Sequence, residues 1–375
     1  MQRSINIISG QIPCPITLGD AQQTYWLIEG LSAVDIQVNL YTFGAVNEIL
    51  HPTLFKLCSS VKVYPLNIGH RNFSFTLPYA SAKYQNAALL SDLAQNKYPI
   101  LIEGTGPCGA AFSKTFAGRE IWVRLLTYAP SYFRYLVERA KDPFKKLYYK
   151  REAALSSSVI KKIRPEVKWL VQSDTDKAIL QTAVLGGHIK TLAPLSSQAS
   201  AIESKPGLGS YCLFHGNLAD AATHQTAVWL LTHVFHNLNV PFVITGNDPD
   251  PSLIALAHKK PHTCIVANPA ILELRDMIQK AQIIIQPSFV HTGPGEALIE
   301  GIKLGRHCIT NVKKTKNSFA ACYHQGASAN AFQEIIVQLY HFPFSDEEID
   351  TRKKALAHEK SNTEIVKEFT AIIWR

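Results

Sequence analysis

Residues 282–311, QIIIQPSFVHTGPGEALIEGIKLGRHCITN, hold the densest set of side chains able to do chemistry. An apolar run that reads as a buried strand stops at Pro287. Gly293, Pro294 and Gly295 follow, and a helical stretch then opens on Glu296, with Glu300 about one turn further along. Glycines let a backbone approach a ligand closely. The free N–H groups and positive dipole at a helix start suit a phosphate. Glu296 and Glu300 share a helix face, where a carboxylate accepts hydrogen bonds from the vicinal hydroxyls of a ribose or sugar. The ligand so described carries phosphate and a diol. An ordinary loop leading into a helix with a solvated pair of glutamates has the same spacing.

Other candidates are less specific. Glu103-Gly104-Thr105-Gly106-Pro107 ends an apolar run and reads either as a ligand-facing loop or as a strand-ending turn. The stretch 65–79, with His70, Arg71, Phe73, Phe75 and Tyr79, reads as a packed surface loop in preference to a mobile ligand-facing one. GTGPCGAAF lacks the Lys-Ser/Thr ending of a phosphate-binding P-loop, and the first loop has no GxGxxG. No Asp-x-Asp pair falls in a suitable loop, so neither a cofactor nor a metal is expected. The seven cysteines are scattered and without a CxxC pair, which reads as buried, reduced, structural thiols; the histidines lack ligand spacing beside them. No local motif makes Cys14 or Cys108 a nucleophile. The fourteen histidines mostly stand singly inside helical stretches and read as structural residues.

These residues need a scaffold, and the chain supplies an alternating one. Apolar runs at 4–9, 35–43, 61–66, 99–104 and 120–126 read as strands, and 167–180 reads as strand, Ser173 cap and helix. Asp20 can cap a helix through TYWLIEGL, and 80–95 and 130–155 read as helices. The segment 196–210, small, polar and broken by Pro206, Gly207 and Gly209, is the linker candidate. The rhythm then restarts with strands at 211–216, 241–246, 263–268, 282–287 and 307–312. Such alternation predicts parallel sheets covered on both faces. The expected organisation is a Rossmann-like domain over 1–195, the linker, a second Rossmann-like domain over 211–355 and a C-terminal helix, 356–375, packing back on the first domain. Two such domains facing each other leave a cleft, and ligands of open parallel sheets sit at the carboxyl ends of strands. The loops after Ser9, Ile102, Arg124, Phe214, Thr245, Ala267 and Gln286 are therefore the ones to follow.

The 282–311 segment resembles the C-terminal hallmark of glycosyltransferase family 4 in Pro287-Ser288, Gly293-Pro294-Gly295, Glu300 and Gly305-Arg306. The similarity extends to most of the chain. SGQIPCPITLGD resembles the family's first loop, and YCLFHGNL and PFVITGNDP the first two strand–loop units of its donor domain. The run from VRLLTYAPSYFRYL to KKLYYKREAAL resembles a branch found in Bacteroidetes. The resemblance implies an α/β GT-B fold, two Rossmann-like parallel-sheet domains facing across a cleft. It implies a retaining transferase that takes a sugar from a nucleotide-sugar donor, held by the C-terminal domain, to a glycan or lipid-linked acceptor. Thr292, Gly293 and Glu296 would face the donor sugar and diphosphate. Gly19, Gly216, Asn217, Gly246, Gly295, Glu300 and Arg306 would form the donor site, with Glu300 on the ribose. Gly104, Arg124 and Tyr128 would stand on the acceptor side.

The charged positions depart from that pattern. Thr292 stands where the first glutamate of a pair is expected, Asn217 where an arginine commonly meets the diphosphate, Leu126 where a histidine would be, and Asp20 where a second glycine would follow Gly19. A leaving diphosphate needs compensation of its developing charge, for which Arg306, Lys303, Arg124 and helix dipoles are the candidates. The alternative reading is a weak or inactive relative that binds a sugar nucleotide or glycan and assists a partner enzyme.

The formal net charge is +9, and the stretch 131–168 alone holds eleven Lys and Arg against four Asp and Glu, interleaved with Tyr132, Phe133, Tyr135, Phe144, Tyr148 and Tyr149. Basic stems and aromatic rings favour a head-group layer, so an anionic inner membrane surface is an expected partner, a solvated basic face being the plainer reading. No nucleic-acid motif accompanies the charge. The run 4–9 is too short for the apolar core of a signal peptide, and no stretch of about 18 uncharged apolar residues occurs. A cytoplasmic protein, peripheral on the inner membrane face, is the expectation.

Overall fold

The computed structural model describes residues 2–14, 20–45, 48–69, 74–184, 186–195, 201–290, 295–314 and 318–374, with the Asp20 side chain left out. The chain divides into two compact units, one formed by Met1–Leu195 with Lys360–Arg375 and the other by Ser196–Glu359.

The first unit is a seven-stranded parallel sheet. Its strands are β1 (Ser4–Ser9), β2 (Gln37–Gly44), β3 (Ser60–Pro65), β4 (Ile100–Glu103), β5 (Ile121–Leu125), β6 (Lys168–Val171) and β7 (Ile189–Thr191), in the order β3-β2-β1-β4-β5-β6-β7. Side chains alternate between the faces of a strand, and this sorts the core in two. Ile8, Ile100, Ile102, Ile121, Val123, Trp169 and Val171 enter one apolar cluster, while Ile5, Ile7, Leu101, Trp122 and Leu170 enter another. Covering both faces is why these strands read as unbroken apolar runs. The helix Asn362–Ile373 belongs to this unit. Its Ile365, Val366, Phe369 and Ile373 are buried with Trp26, Leu27 and Ile28 of the helix Asp20–Ala33.

The second unit repeats the plan with six parallel strands: β8 (Cys212–Gly216), β9 (Phe242–Gly246), β10 (Thr263–Ala267), β11 (Ile283–Ile285), β12 (His307–Thr310) and β13 (His324–Gln325), in the order β10-β9-β8-β11-β12-β13. Residues 201–210 are tied to this unit. The N–H groups of Glu203 and Ser204 donate to the Lys303 carbonyl, Gly207 exchanges hydrogen bonds with Phe344, and Ser210 N–H donates to the Lys280 carbonyl.

Two expected helices are divided, each for a local reason. Asp142 accepts from the N–H groups of Phe144 and Lys145, and Pro143 has no N–H to give. A helix Ala129–Arg139 therefore ends before a second, Pro143–Lys162, begins. Asn86 caps Ala87–Ala94 by accepting from Leu89 N–H, which separates it from the short Tyr79–Ala82 helix. Ala221–Trp229 widens into a π-helical turn, Leu230–Val234. Among the cysteines, Cys264 on β10 is exposed, contrary to the expectation of uniformly buried thiols, because β10 is an edge strand. Among the described residues no helix is long and apolar enough to cross a membrane.

Candidate functional site

In both sheets the strand order reverses between the first and fourth strands, β1 with β4 and β8 with β11. Outside the carboxyl ends of such a pair lies the crevice that binds ligands in open parallel sheets.

In the second unit three side chains and a helix start converge there. His215, the penultimate residue of β8, has a wholly buried side chain. Neither of its ring nitrogens makes a hydrogen bond of normal geometry among the described residues. Burial pushes its pKa down to about 4, with the Ala297 backbone working the other way, so the ring is neutral at pH 7. Glu300 Oε2 lies 4.0 Å from its Nδ1. Burial pushes the Glu300 carboxyl up to about 7, against the opposing pull of Arg275 and Lys303. Gln286 fastens the two strand ends together: its N–H donates to the Ile309 carbonyl at 2.9 Å, and its side-chain amide to the His215 carbonyl at 2.9 Å. Ser288 N–H donates to Asn311 Oδ1 at 2.6 Å, which pins the start of the following loop.

Glu300 reaches this place through the helix Glu296–Leu304, capped by Gly295. The helix lies close on β11 because a Cβ on Gly301 would stand 2.7 Å from Ile284 Cγ2. No described residue comes within 4 Å of the Cβ position of Gly295, and Glu296 is half-buried at the first position of the helix. The N–H groups of this helix start and the Glu300 carboxyl are thus presented by one element, as phosphate and diol recognition requires.

The remaining donor-side candidates fall into two groups. Gly216 and Gly246 are paired at the ends of β8 and β9, where a Cβ on Gly246 would stand 1.8 Å from the Gly216 carbonyl oxygen. Asn217 follows, its side-chain oxygen accepting from Ala219 N–H at 3.2 Å. Arg306, by contrast, is not brought to this group. It precedes β12 at the amino end of that strand, and its guanidinium donates to the carbonyls of Gln279 at 2.6 Å and Ala281 at 3.3 Å. Thr292, Gly293 and Gly19 lie outside the described residues.

In the first unit, Gly104 and Arg124 stand at the carboxyl ends of β4 and β5. Glu103 and Arg124 are register partners. The buried guanidinium meets the Glu103 carboxylate in two parallel hydrogen bonds of 2.8 Å and also donates to the Gln23 carbonyl at 3.2 Å. Gly104 takes φ +76°, and its N–H donates to the Arg124 carbonyl at 2.8 Å. The loops after β1 and β4 both press on one ring: a Cβ on Gly10 or on Gly106 would stand 2.8 Å from Tyr84. Tyr128 is half-buried at the start of the Ala129–Arg139 helix, its carbonyl accepting from Ser131 and Tyr132.

Sequence reasoning missed His215 and Gln286. His215 and Gln286 each end an apolar strand run, and only their position at the reversal of strand order marks them.

Comparison with known proteins bears on the fold. No protein-family model and no curated protein sequence matches the chain. Solved structures do match along its whole length. A sucrose-phosphate synthase from Thermosynechococcus elongatus is 14% identical with a TM-score of 0.73, covering 99% of this chain and 98% of that one. S. aureus TarM is 10% identical at a TM-score of 0.68, covering 100% and 99%. Anabaena HepE in complex with UDP and glucose is 11% identical at 0.62, covering 99% of each. The fold is that of the GT-B glycosyltransferases, two Rossmann-like parallel-sheet domains.

Proposed function

We propose that the chain is a glycosyltransferase that moves a hexosyl group from a nucleotide-sugar donor to a glycan or lipid-linked acceptor in glycoconjugate or polysaccharide synthesis. The observation that carries this is the buried Glu300 carboxyl beside the neutral His215 ring, set in the β8–β11 crevice under a helix start. Glu300 accepts the donor ribose hydroxyls. The helix-start N–H groups face the diphosphate and stabilise the charge that develops as it leaves. With Arg306 committed elsewhere, that stabilisation rests on backbone donors. The resemblance to family 4 supports retention of anomeric configuration, with a donor phosphate oxygen taking the acceptor proton; the protein then contributes placement and electrostatics. Gly104, Arg124 and Tyr128 serve the acceptor side. Glu103 holds the Arg124 guanidinium in one orientation. The protein works in the cytoplasm at an anionic membrane surface, through the helix Pro143–Lys162. There Phe144, Leu147 and Tyr148 are exposed among Lys145, Lys146 and Lys150.

Calorimetry with UDP, GDP, ADP and their sugar conjugates tests the donor site. The expected outcome is saturable binding of one nucleotide family, lost in Glu300→Ala. Absence of binding by all of them, or unchanged affinity in the variant, sinks the assignment.

A further inference from the structure

Away from the donor crevice, the second unit brings together His307, His324 and Glu348, which stand far apart in the chain. One ligand-type atom from each lies within 4.8 Å of the other two. His307 is the first residue of β12, His324 opens the two-residue edge strand β13, and Glu348 sits in the first turn of the helix Asp346–Ala357.

The tautomer of His307 is legible from its partner. Its Nε2 lies 3.0 Å from the Phe342 carbonyl oxygen, which only accepts, so Nε2 carries the hydrogen. In the neutral ring Nδ1 is then a bare lone pair, wholly buried and without a hydrogen bond of normal geometry among the described residues. It points nonetheless at a carboxylate, with Glu348 Oε1 3.3 Å away. Two lone pairs in that arrangement repel unless a proton or a metal ion lies between them. The other oxygen of Glu348 is already engaged, accepting from Ser345 N–H at 2.9 Å and Ser345 Oγ at 3.2 Å in a capping box. The carboxylate is therefore held in place by bonds that do not depend on His307.

The closest of the three pairs has the spacing of a zinc site. Zinc binds imidazole nitrogen at about 2.0–2.1 Å and carboxylate oxygen at about 2.0–2.2 Å, so neighbouring ligands of a tetrahedral site stand roughly 3.3–3.5 Å apart. The Nδ1 to Oε1 separation is 3.3 Å. The Phe342 carbonyl supplies the outer hydrogen bond that metal-bound histidines regularly make through their second nitrogen. Arg352, the nearby positive charge, is spent on the carbonyls of Ile302, Gly305 and Arg306 and on the Phe344 ring at 4.3 Å.

We propose that His307 Nδ1, His324 and Glu348 hold a zinc ion that clamps the edge strand β13 and the Asp346–Ala357 helix to β12. His307 stands at the amino end of its strand, whereas the donor crevice lies at carboxyl ends. The ion is structural, and the proposal does not rest on the glycosyltransferase reading.

The test is a zinc titration of chelator-treated full chain against a chromophoric competitor, with the melting temperature followed in parallel. Glu348→Gln keeps the cap, since glutamine also serves in a capping box, but removes the charge. His324→Ala removes a ligand at a half-buried position. The expected result is one zinc per chain, a raised melting temperature on binding, and affinity at least tenfold weaker in each variant. Cobalt(II) on the wild-type chain should give the visible absorption of a tetrahedral nitrogen–oxygen site, which is independent of how well the variants fold. No stoichiometric zinc at micromolar concentration, an octahedral cobalt spectrum, or wild-type affinity in either variant overturns the proposal.

Discussion

At the scale of single residues, the β8–β11 crevice holds two groups that burial drives in opposite directions. An ionised Glu300 accepts both hydroxyls of a ribose, whereas a protonated one accepts poorly. With its pKa raised to about 7, affinity for a nucleotide sugar should rise by about tenfold between roughly pH 6 and pH 8. The sugar-linked diphosphate has no ionisation of its own in that range, so the slope should disappear in Glu300→Gln. A slope that persists in that variant assigns the titration elsewhere. The stability signs follow by linkage. The native chain keeps a proton on Glu300 that the unfolded chain has lost above about pH 4.3, so this residue's contribution falls as pH rises toward 7. His215 contributes stability above about pH 6.5 that is lost as pH falls toward 4.

At the scale of elements, glycines decide how closely strands and helices approach. Gly246→Ala places a Cβ 1.8 Å from the Gly216 carbonyl oxygen, and spreading β8 from β9 should cost about 1–3 kcal/mol. A lowered melting temperature with a matching loss of donor affinity is expected, and wild-type melting refutes the packing argument. The exposed end of Pro143–Lys162 makes its own prediction. Reversing the charges of Lys145, Lys146 and Lys150 should reduce flotation with anionic liposomes; unchanged flotation removes the membrane surface as a partner. Elements of this size were also where the sequence could be read. Runs such as SINIIS and IIIQ announce strands buried on both faces. By contrast, β7 and β13 span three and two residues, too few to show any period. Pro143 and Asn86 carry the signals that divide the helices, but they stand within stretches of high helical propensity that mask them. The site was half legible. Glu300 stood out through its glycine-rich approach, while His215 looked like one more strand residue. Arg306 drew attention as a charge, and only the fold shows it bound to helix-end carbonyls. A motif records types and spacing, not which end of a strand a side chain stands at.

At the scale of the molecule, two Rossmann-like units with the same reversal of strand order account for the similarity to GT-B structures along the whole chain. Each unit has its own apolar core, yet the first is discontinuous in sequence.

That discontinuity sets an order of events during synthesis. A ribosome that has delivered residue 195 has made every strand of the first sheet but not the helix Asn362–Ile373, whose Val366 closes on Gly30. At about 5–20 residues per second, the surface around Trp26 and Ile28 waits on the order of ten seconds or more for its cover. During that interval it is an apolar patch open to chaperones, while the later-made unit, Ser196–Glu359, has all of its own residues in hand before the earlier one does.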